Sequence, residues 1–142
     1  MNKNENFLLI SKLKQTILNS VEKFFITLIS TPTGSGKSTL IPQIIYSHFA
    51  KNNPKIIISE PRFIASQTIS NFISNSNPNL KIISNDLNYY YNEKYSLLFL
   101  KEYELLCLLS KNPYLEKCDF LIIKLFLFFI FYLFLLFIIK NE

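Results

Sequence analysis

Apolar and polar positions change their spacing several times along the chain, which predicts an alternation of helices and strands. Leu9, Leu13, Ile17 and Val21 recur every four residues among lysine and glutamine, which is the period of an amphipathic helix. The segment that follows, residues 24–31, is short and rich in aromatic and β-branched residues, as a buried strand is. The beginning of the chain therefore predicts a helix followed directly by a strand.

The same alternation continues as far as residue 123. Proline and asparagine clusters separate short apolar runs from segments with helical spacing. We predict helices over residues 8–21, 40–50, 62–73 and 102–110, and strands over residues 24–31, 55–59, 80–84, 95–100 and 118–123. Strands that alternate with helices are typical of a mostly parallel α/β sheet.

Composition and charge narrow the possible classes of protein. The 142 residues, 49% hydrophobic and 18% charged, suit one domain with its own core and exclude a disordered chain. The net charge of +5 favours a polyanionic partner or an anionic membrane surface. Cys107 and Cys118 lack metal-site spacing, and the polar start of the chain lacks a signal peptide, so we expect reduced thiols and an intracellular, cytoplasmic protein. His48 is the single histidine, which leaves little for a catalytic triad or a multi-histidine metal site.

Both glycines of the chain lie in a loop between a predicted strand and a predicted helix. Residues 31–39 read Thr-Pro-Thr-Gly-Ser-Gly-Lys-Ser-Thr. Such a loop turns its backbone N–H groups around phosphates, and the following helix points its positive N-terminus at them. Lys37 is the predicted catalytic residue because it would stabilise charge on the transferring phosphate, and the Ser38 hydroxyl would bind Mg²⁺. The predicted nucleotide-binding residues are Thr33, Gly34, Ser35, Gly36, Lys37, Ser38 and Thr39.

The surroundings of this loop resemble the opening of the superfamily 2 DExH/DEAH-box RNA helicases. The loop is followed by Ile-Pro-Gln at residues 41–43, and the next strand closes with Ser-Glu-Pro-Arg at residues 59–62. The resemblance implies a RecA-like ATP-binding domain that uses ATP and Mg²⁺ and acts on RNA, or on DNA. It also implies that Arg62 contacts the nucleic-acid backbone. Lys101, where the family has a further RNA-binding turn, is a second candidate contact. A P-loop kinase or a transporter ATPase would not explain the Pro-Arg pair, and no specific protein partner is indicated.

The resemblance ends at residue 123. There the family continues with Asp-Glu-x-His, whose Asp holds Mg²⁺ and whose Glu orients the attacking water, whereas this chain continues with Lys124 and Leu125. The sequence therefore predicts part of a helicase ATP-binding domain over residues 1–123, truncated before this motif and without the second RecA-like domain. Weak nucleotide binding and no ATP hydrolysis are expected of it.

Residues 124–142 form a hydrophobic tail, in which Leu125 begins and Ile139 ends an uninterrupted apolar run. One interpretation is a transmembrane helix, which would make the chain a tail-anchored, membrane-associated protein with a non-catalytic nucleotide-binding domain. Another is the product of a shifted reading frame, because A/T-rich codons encode Phe, Leu and Ile in any frame. A third is a buried helix. The expected fold is thus an incomplete α/β P-loop fold, with a parallel sheet flanked by helices and a hydrophobic C-terminal helix.

Overall fold

A computed structural model describes residues 3–31, 35–61, 63–126 and 134–140 of the chain. In these parts helices and strands alternate along most of the sequence. The helices are α1 (Lys3–Lys23), α2 (Lys37–His48), α3 (Phe63–Ser76), α4 (Asn88–Tyr91) and α5 (Glu102–Lys111). The strands are β1 (Ile26–Thr31), β2 (Ile56–Glu60), β3 (Ile82–Ser84), β4 (Leu97–Lys101), β5 (Phe120–Phe126) and β6 (Phe134–Lys140).

The strands form one sheet in the order β1-β6-β5-β2-β4-β3. Strand β2 pairs in parallel with β4 and β5, and β3 pairs in parallel with β4. Strand β6 is antiparallel to both of its neighbours, β1 and β5. Five strands therefore run in one direction, and β6 runs in the other.

The α/β class and the mostly parallel sheet flanked by helices are confirmed. Each of the predicted strands up to residue 123 is present, although its ends differ from the predicted ends by a few residues. Helix α2 begins at Lys37, three residues earlier than predicted, because Gly36 adopts the left-handed conformation that ends the preceding loop. The helix therefore begins directly at the predicted phosphate loop.

The predicted hydrophobic C-terminal helix is wrong for the part of the tail that the structure describes. Leu125 lies in β5, and Ile139 lies in β6, between the backbones of β1 and β5. A strand inside a sheet is buried on both faces, so its apolar residues need no alternation and resemble those of a buried helix. Strand β5 continues across residue 123 into the tail. The division into a domain over residues 1–123 and a tail over residues 124–142 stays a prediction.

The transmembrane interpretation of the tail receives no support. Within the parts of the chain that the structure describes, no helix is long and apolar enough to cross a membrane. Residues 127–133, which belong to the predicted span, lie outside the described residues.

The core lies on both faces of the sheet, and β2 contributes to both. Ile56 and Ile58 pack among apolar residues of α1, α2 and α3, and Ile57 packs among those of α4 and α5. All five residues of β2 are buried. In β2 the first three residues are apolar, and the polar residues Ser59 and Glu60 lie at its carboxyl end.

We expect Ile58→Ala to lower the free energy of unfolding by about 2–5 kcal/mol, because its fully buried side chain would leave a cavity in the central strand. The matched control is Ile64→Ala in α3, since Ile64 is 76% exposed and the same truncation there should change stability by less than about 0.5 kcal/mol. Urea denaturation followed by circular dichroism measures both variants. Equal losses of stability in the two variants would contradict this assignment of the core.

Candidate functional site

The candidate site lies at one edge of the sheet, where the parallel strands end. Strands β1, β2 and β4 end at Thr31, Glu60 and Lys101. Glu60 and Lys101 are partners in the parallel ladder, and Ser59 pairs with Ile123, the residue before Lys124. Charged residues from three neighbouring strands are thus aligned at the edge toward which β1 also runs.

Lys37, the first residue of α2, is buried in this loop. Its side chain is only 6% exposed, although it carries an ammonium group. The Nζ atom donates hydrogen bonds to the carbonyl oxygen of Thr31 at 2.5 Å, to the Thr31 hydroxyl at 3.0 Å and to the Ser35 hydroxyl at 3.3 Å. The oxygen atoms of the loop therefore hold the ammonium group at the carboxyl end of β1.

Thr31 and Ser35 close the loop beneath this ammonium group. Their hydroxyl oxygens lie 2.7 Å apart and share a hydrogen bond, and both residues are buried. Because each hydroxyl also accepts a hydrogen bond from Lys37, the three side chains form one connected network. The network fixes the position of the lysine relative to the loop backbone.

Gly36 allows the backbone to turn from the loop into α2. Its φ angle is +84°, which residues with a Cβ atom rarely adopt, and a Cβ atom there would lie 2.9 Å from Cδ1 of Leu40. The amide N–H of Leu40 donates to the Gly36 carbonyl at 2.7 Å and closes the first helical turn. The first N–H groups of a helix have no carbonyl within the helix to bond, so this end of α2 favours anions.

The electrostatic surroundings of Lys37 disfavour its charged form relative to a lysine in water. Burial, and secondarily the nearby charge of Lys124, lower the pKa of Lys37 to about 8. An anion placed beside the two ammonium groups would reverse this effect, because it favours their charged forms. A negatively charged ligand beside Lys37 would therefore be favoured electrostatically.

Lys124 of β5 forms an ion pair with Glu60 of β2. Its Nζ atom lies 2.9 Å from Oε2 of Glu60, whose side chain is completely buried, while the Lys124 side chain is 18% exposed. The second carboxylate oxygen of Glu60, Oε1, is buried and has no hydrogen-bond partner among the described residues. The ion pair thus connects the end of β2 with β5, two residues before β5 ends.

The structure brings together part of the predicted site. Ser35, Gly36 and Lys37 lie in the network and turn described above, and Ser38 and Thr39 follow in the first turn of α2. The Thr39 hydroxyl donates to the Gly36 carbonyl at 3.1 Å, so it stabilises the helix start. Thr33, Gly34 and Arg62 lie outside the described residues. The roles assigned to these residues stay predictions.

Lys101, the predicted nucleic-acid contact, lies at the junction of β4 and α5. Its backbone N–H donates to a carboxylate oxygen of Glu104 at 2.9 Å, and its Nζ atom lies 3.9 Å from the other oxygen. Because 41% of the side chain is exposed, the ammonium group remains accessible to a phosphate. Its role in RNA binding stays a prediction.

The predicted Mg²⁺ site at Ser38 stays a prediction. Among the described residues no group of three or more His, Cys, Asp or Glu side chains could hold a metal ion. In nucleotide sites Mg²⁺ is held by one or two carboxylates together with the phosphates of the ligand. Glu60 is a buried carboxylate at the end of β2, and the ammonium group of Lys124 binds one of its oxygens.

Sequence reasoning missed the parts played by Glu60 and Thr31. In the sequence Glu60 is one residue of the Ser-Glu-Pro-Arg segment, with no predicted role of its own. Lys124 stands where the resemblance expects an acidic residue. A signal was nevertheless present, since an acid and a base stand at the ends of two predicted parallel strands. The ladder register, which brings them side by side, is a long-range property that no local pattern contains.

We expect the pKa of Lys37, measured by NMR on ¹³C-labelled lysine, to lie near 8 and to rise in Lys124→Gln. The substitution removes a neighbouring positive charge but not the burial, so the pKa should remain below the ordinary value of 10.5. Lys111→Gln, at the exposed end of α5, is the matched control and should leave the pKa of Lys37 unchanged. An unaltered pKa in Lys124→Gln would show that the two ammonium groups do not interact.

Comparison with known proteins finds relatives that are ATP-dependent RNA helicases, although no family model matches the chain. The human ATP-dependent RNA helicase TDRD9 is 35% identical over 67 residues, which are 46% of this chain and 5% of that protein. The DExH-box ATP-dependent RNA helicase DExH6 of Arabidopsis thaliana is 35% identical over 68 residues, again 46% of this chain and 5% of the relative. The putative pre-mRNA-splicing factor ATP-dependent RNA helicase C20H4.09 of Schizosaccharomyces pombe is 30% identical over 128 residues, which are 87% of this chain and 20% of that protein.

The similarity thus extends over most of this chain in one relative and over just under half of it in the other two. The chain spans between 5% and 20% of the length of these relatives. Over the matched residues, the chain is related to DExH-box ATP-dependent RNA helicases.

Proposed function

We propose that this chain binds ATP through the loop between β1 and α2, as the ATP-binding part of a DExH-type RNA helicase. The observation that carries the proposal is the buried ammonium group of Lys37, held at the carboxyl end of β1 and at the N-terminus of α2. The names of the relatives, which are ATP-dependent RNA helicases, support ATP as the nucleotide.

The chemistry of phosphate binding explains why a lysine is buried in this loop. An ammonium group loses its hydration on burial, and hydroxyl and carbonyl oxygens return only part of that loss. A phosphate bound beside it would supply a full opposite charge and accept short hydrogen bonds. We therefore assign the β- and γ-phosphates of ATP to the space above Lys37 and the first turn of α2.

ATP hydrolysis by this chain alone is not part of the proposal. The helicases that it resembles use an Asp-Glu pair at the positions where this chain has Lys124 and Leu125, which lie within β5. Neither residue can orient an attacking water as a carboxylate does. We propose that hydrolysis coupled to unwinding belongs to complete members of the family.

RNA binding is the second part of the proposed function and rests on fewer observations. The net charge of +5 favours a polyanion, and the partly exposed ammonium group of Lys101 lies at the same edge of the sheet as the nucleotide site. Arg62 follows the last residue of β2 by two positions in the sequence. We propose that both residues contact phosphates of the RNA backbone.

We expect the purified chain to bind ATP weakly, and Lys37→Met to weaken the binding by at least about tenfold, because it removes a charge-assisted contact. Isothermal titration calorimetry measures both dissociation constants. Lys51→Met is the matched control, since Lys51 is exposed and lies beyond the far end of α2. The proposal fails if neither the unmodified chain nor the control binds ATP, or if Lys37→Met binds it equally well.

We also expect no release of phosphate from ATP above background, with or without RNA, because the water-orienting carboxylate is absent. A coupled phosphate-release assay measures this rate. Turnover that disappears in Lys37→Ala would show that the chain is an ATPase after all and that another group orients the water.

A further inference from the structure

Strand β1 is the outermost strand on one side of the sheet. It pairs with β6, and no strand in the described part of the chain pairs with its other side. The N–H of Lys140 in β6 donates to the carbonyl oxygen of Phe25 at 3.1 Å, so the main-chain groups of every second residue from Phe25 onward point toward β6. The N–H and C=O groups of Ile26, Leu28 and Ser30 therefore point away from the sheet, toward the unpaired side.

The sequence of β1 lacks the features that usually prevent an outermost strand from pairing with another chain. Such strands in monomeric proteins commonly carry a lysine, a proline or a bulge, whereas residues 24–31 contain neither a charged residue nor a proline. Ile26 and Leu28 are both 54% exposed and lie on the face opposite to that of Ile29, which packs in a core cluster with residues of α1. An apolar strand with an unpaired side is a template for the addition of another strand.

A buried hydroxyl group on this strand lacks a hydrogen-bond partner within the described residues. Thr27 is only 8% exposed, and its Oγ1 atom makes no hydrogen bond to any of them. A buried polar group without a partner destabilises a folded protein by about 1–3 kcal/mol. A hydroxyl group supplied from the unpaired side of β1 would satisfy Thr27.

The sequence of β1 fits a second copy of itself in one antiparallel register. When Thr27 lies opposite Thr27 of the second copy, Ile26 lies opposite Leu28 of that copy. These two residues exchange both main-chain hydrogen bonds, because their N–H and C=O groups point outward. The two threonines then form a non-hydrogen-bonded pair, in which side chains lie closest, so their hydroxyl groups can bond to each other. A register with Leu28 opposite Leu28 would instead place Ile26 opposite Ser30 and lose the apolar pairs.

We propose that two copies of this chain pair through β1, antiparallel and around a two-fold axis at Thr27. The two sheets become one continuous sheet, and both copies use the same surface, as two-fold symmetry requires. Strand β1 has 6 residues, fewer than the about 20–30 residues a side of a stable interface. We therefore expect a reversible dimer with a dissociation constant of roughly 1–100 μM. The inference does not depend on the proposed nucleotide binding.

The first experiment measures association of the full chain by sedimentation velocity, at protein concentrations below and above this range. Leu28→Lys places a charge on the exposed face of β1, so it should weaken the dimer by at least about tenfold without disturbing the core. Leu106→Lys in α5, where the leucine is 64% exposed, is the matched control and should leave association unchanged. A monomer at every concentration would overturn the inference, and so would a Leu28→Lys dimer as tight as that of the unmodified chain.

The second experiment tests the register by cross-linking. The Cα atoms of a non-hydrogen-bonded antiparallel pair lie about 4.5 Å apart, which a disulfide can bridge, so mild oxidation should convert Thr27→Cys into a covalent dimer. Ser30→Cys is the matched control, because the two copies of residue 30 would lie about 20 Å apart along the paired strands. The unmodified chain, with Cys107 and Cys118, gives the background. Equal cross-linking of the two variants, or none in Thr27→Cys, would overturn the proposed pairing.

Discussion

The parallel pairing of β2 with β4 and β5 is the constraint on which the rest of the structure depends. These three strands run in the same direction, and the apolar residues of β2 and β4 pack on both faces of the sheet. Their charged residues Glu60 and Lys101 lie at the carboxyl ends, and Lys124 lies two residues before the end of β5. Parallel strands point these ends toward the same edge. The charged residues near that edge and the apolar core therefore have the same origin, which is the parallel pairing of these strands.

Burial of charge at that edge requires compensation, and the structure supplies it in two different ways. Lys37 donates hydrogen bonds to neutral oxygens of Thr31 and Ser35. Glu60 has an ammonium partner, Lys124, which satisfies the charge but only one of its oxygens. An anion beside Lys37 would favour the charged form of its ammonium group, whereas an anion beside Glu60 would disfavour its carboxylate.

Local patterns in the sequence predicted most of the fold, because strand and helix periods depend on residues close in the chain. The strands up to residue 123 and the loop before α2 are examples. The apolar tail could not be assigned in this way, since a strand buried on both faces has no period of its own. Local patterns also could not predict the antiparallel direction of β6. It depends on which strands lie beside it, and therefore on contacts with β1, a hundred residues away.

The candidate site was predictable only in part, for a related reason. The glycine and lysine of the loop act through local backbone geometry, which the sequence contains. The pairing of Glu60 with Lys124 depends on the register of β2 against β5, and only the assembled sheet provides it. That register also changes the meaning of the lysine at position 124. From the sequence alone it is a missing acid and implies a lost metal site. In the assembled sheet it is one partner of an ion pair, which joins β5 to the buried carboxylate of Glu60 in β2.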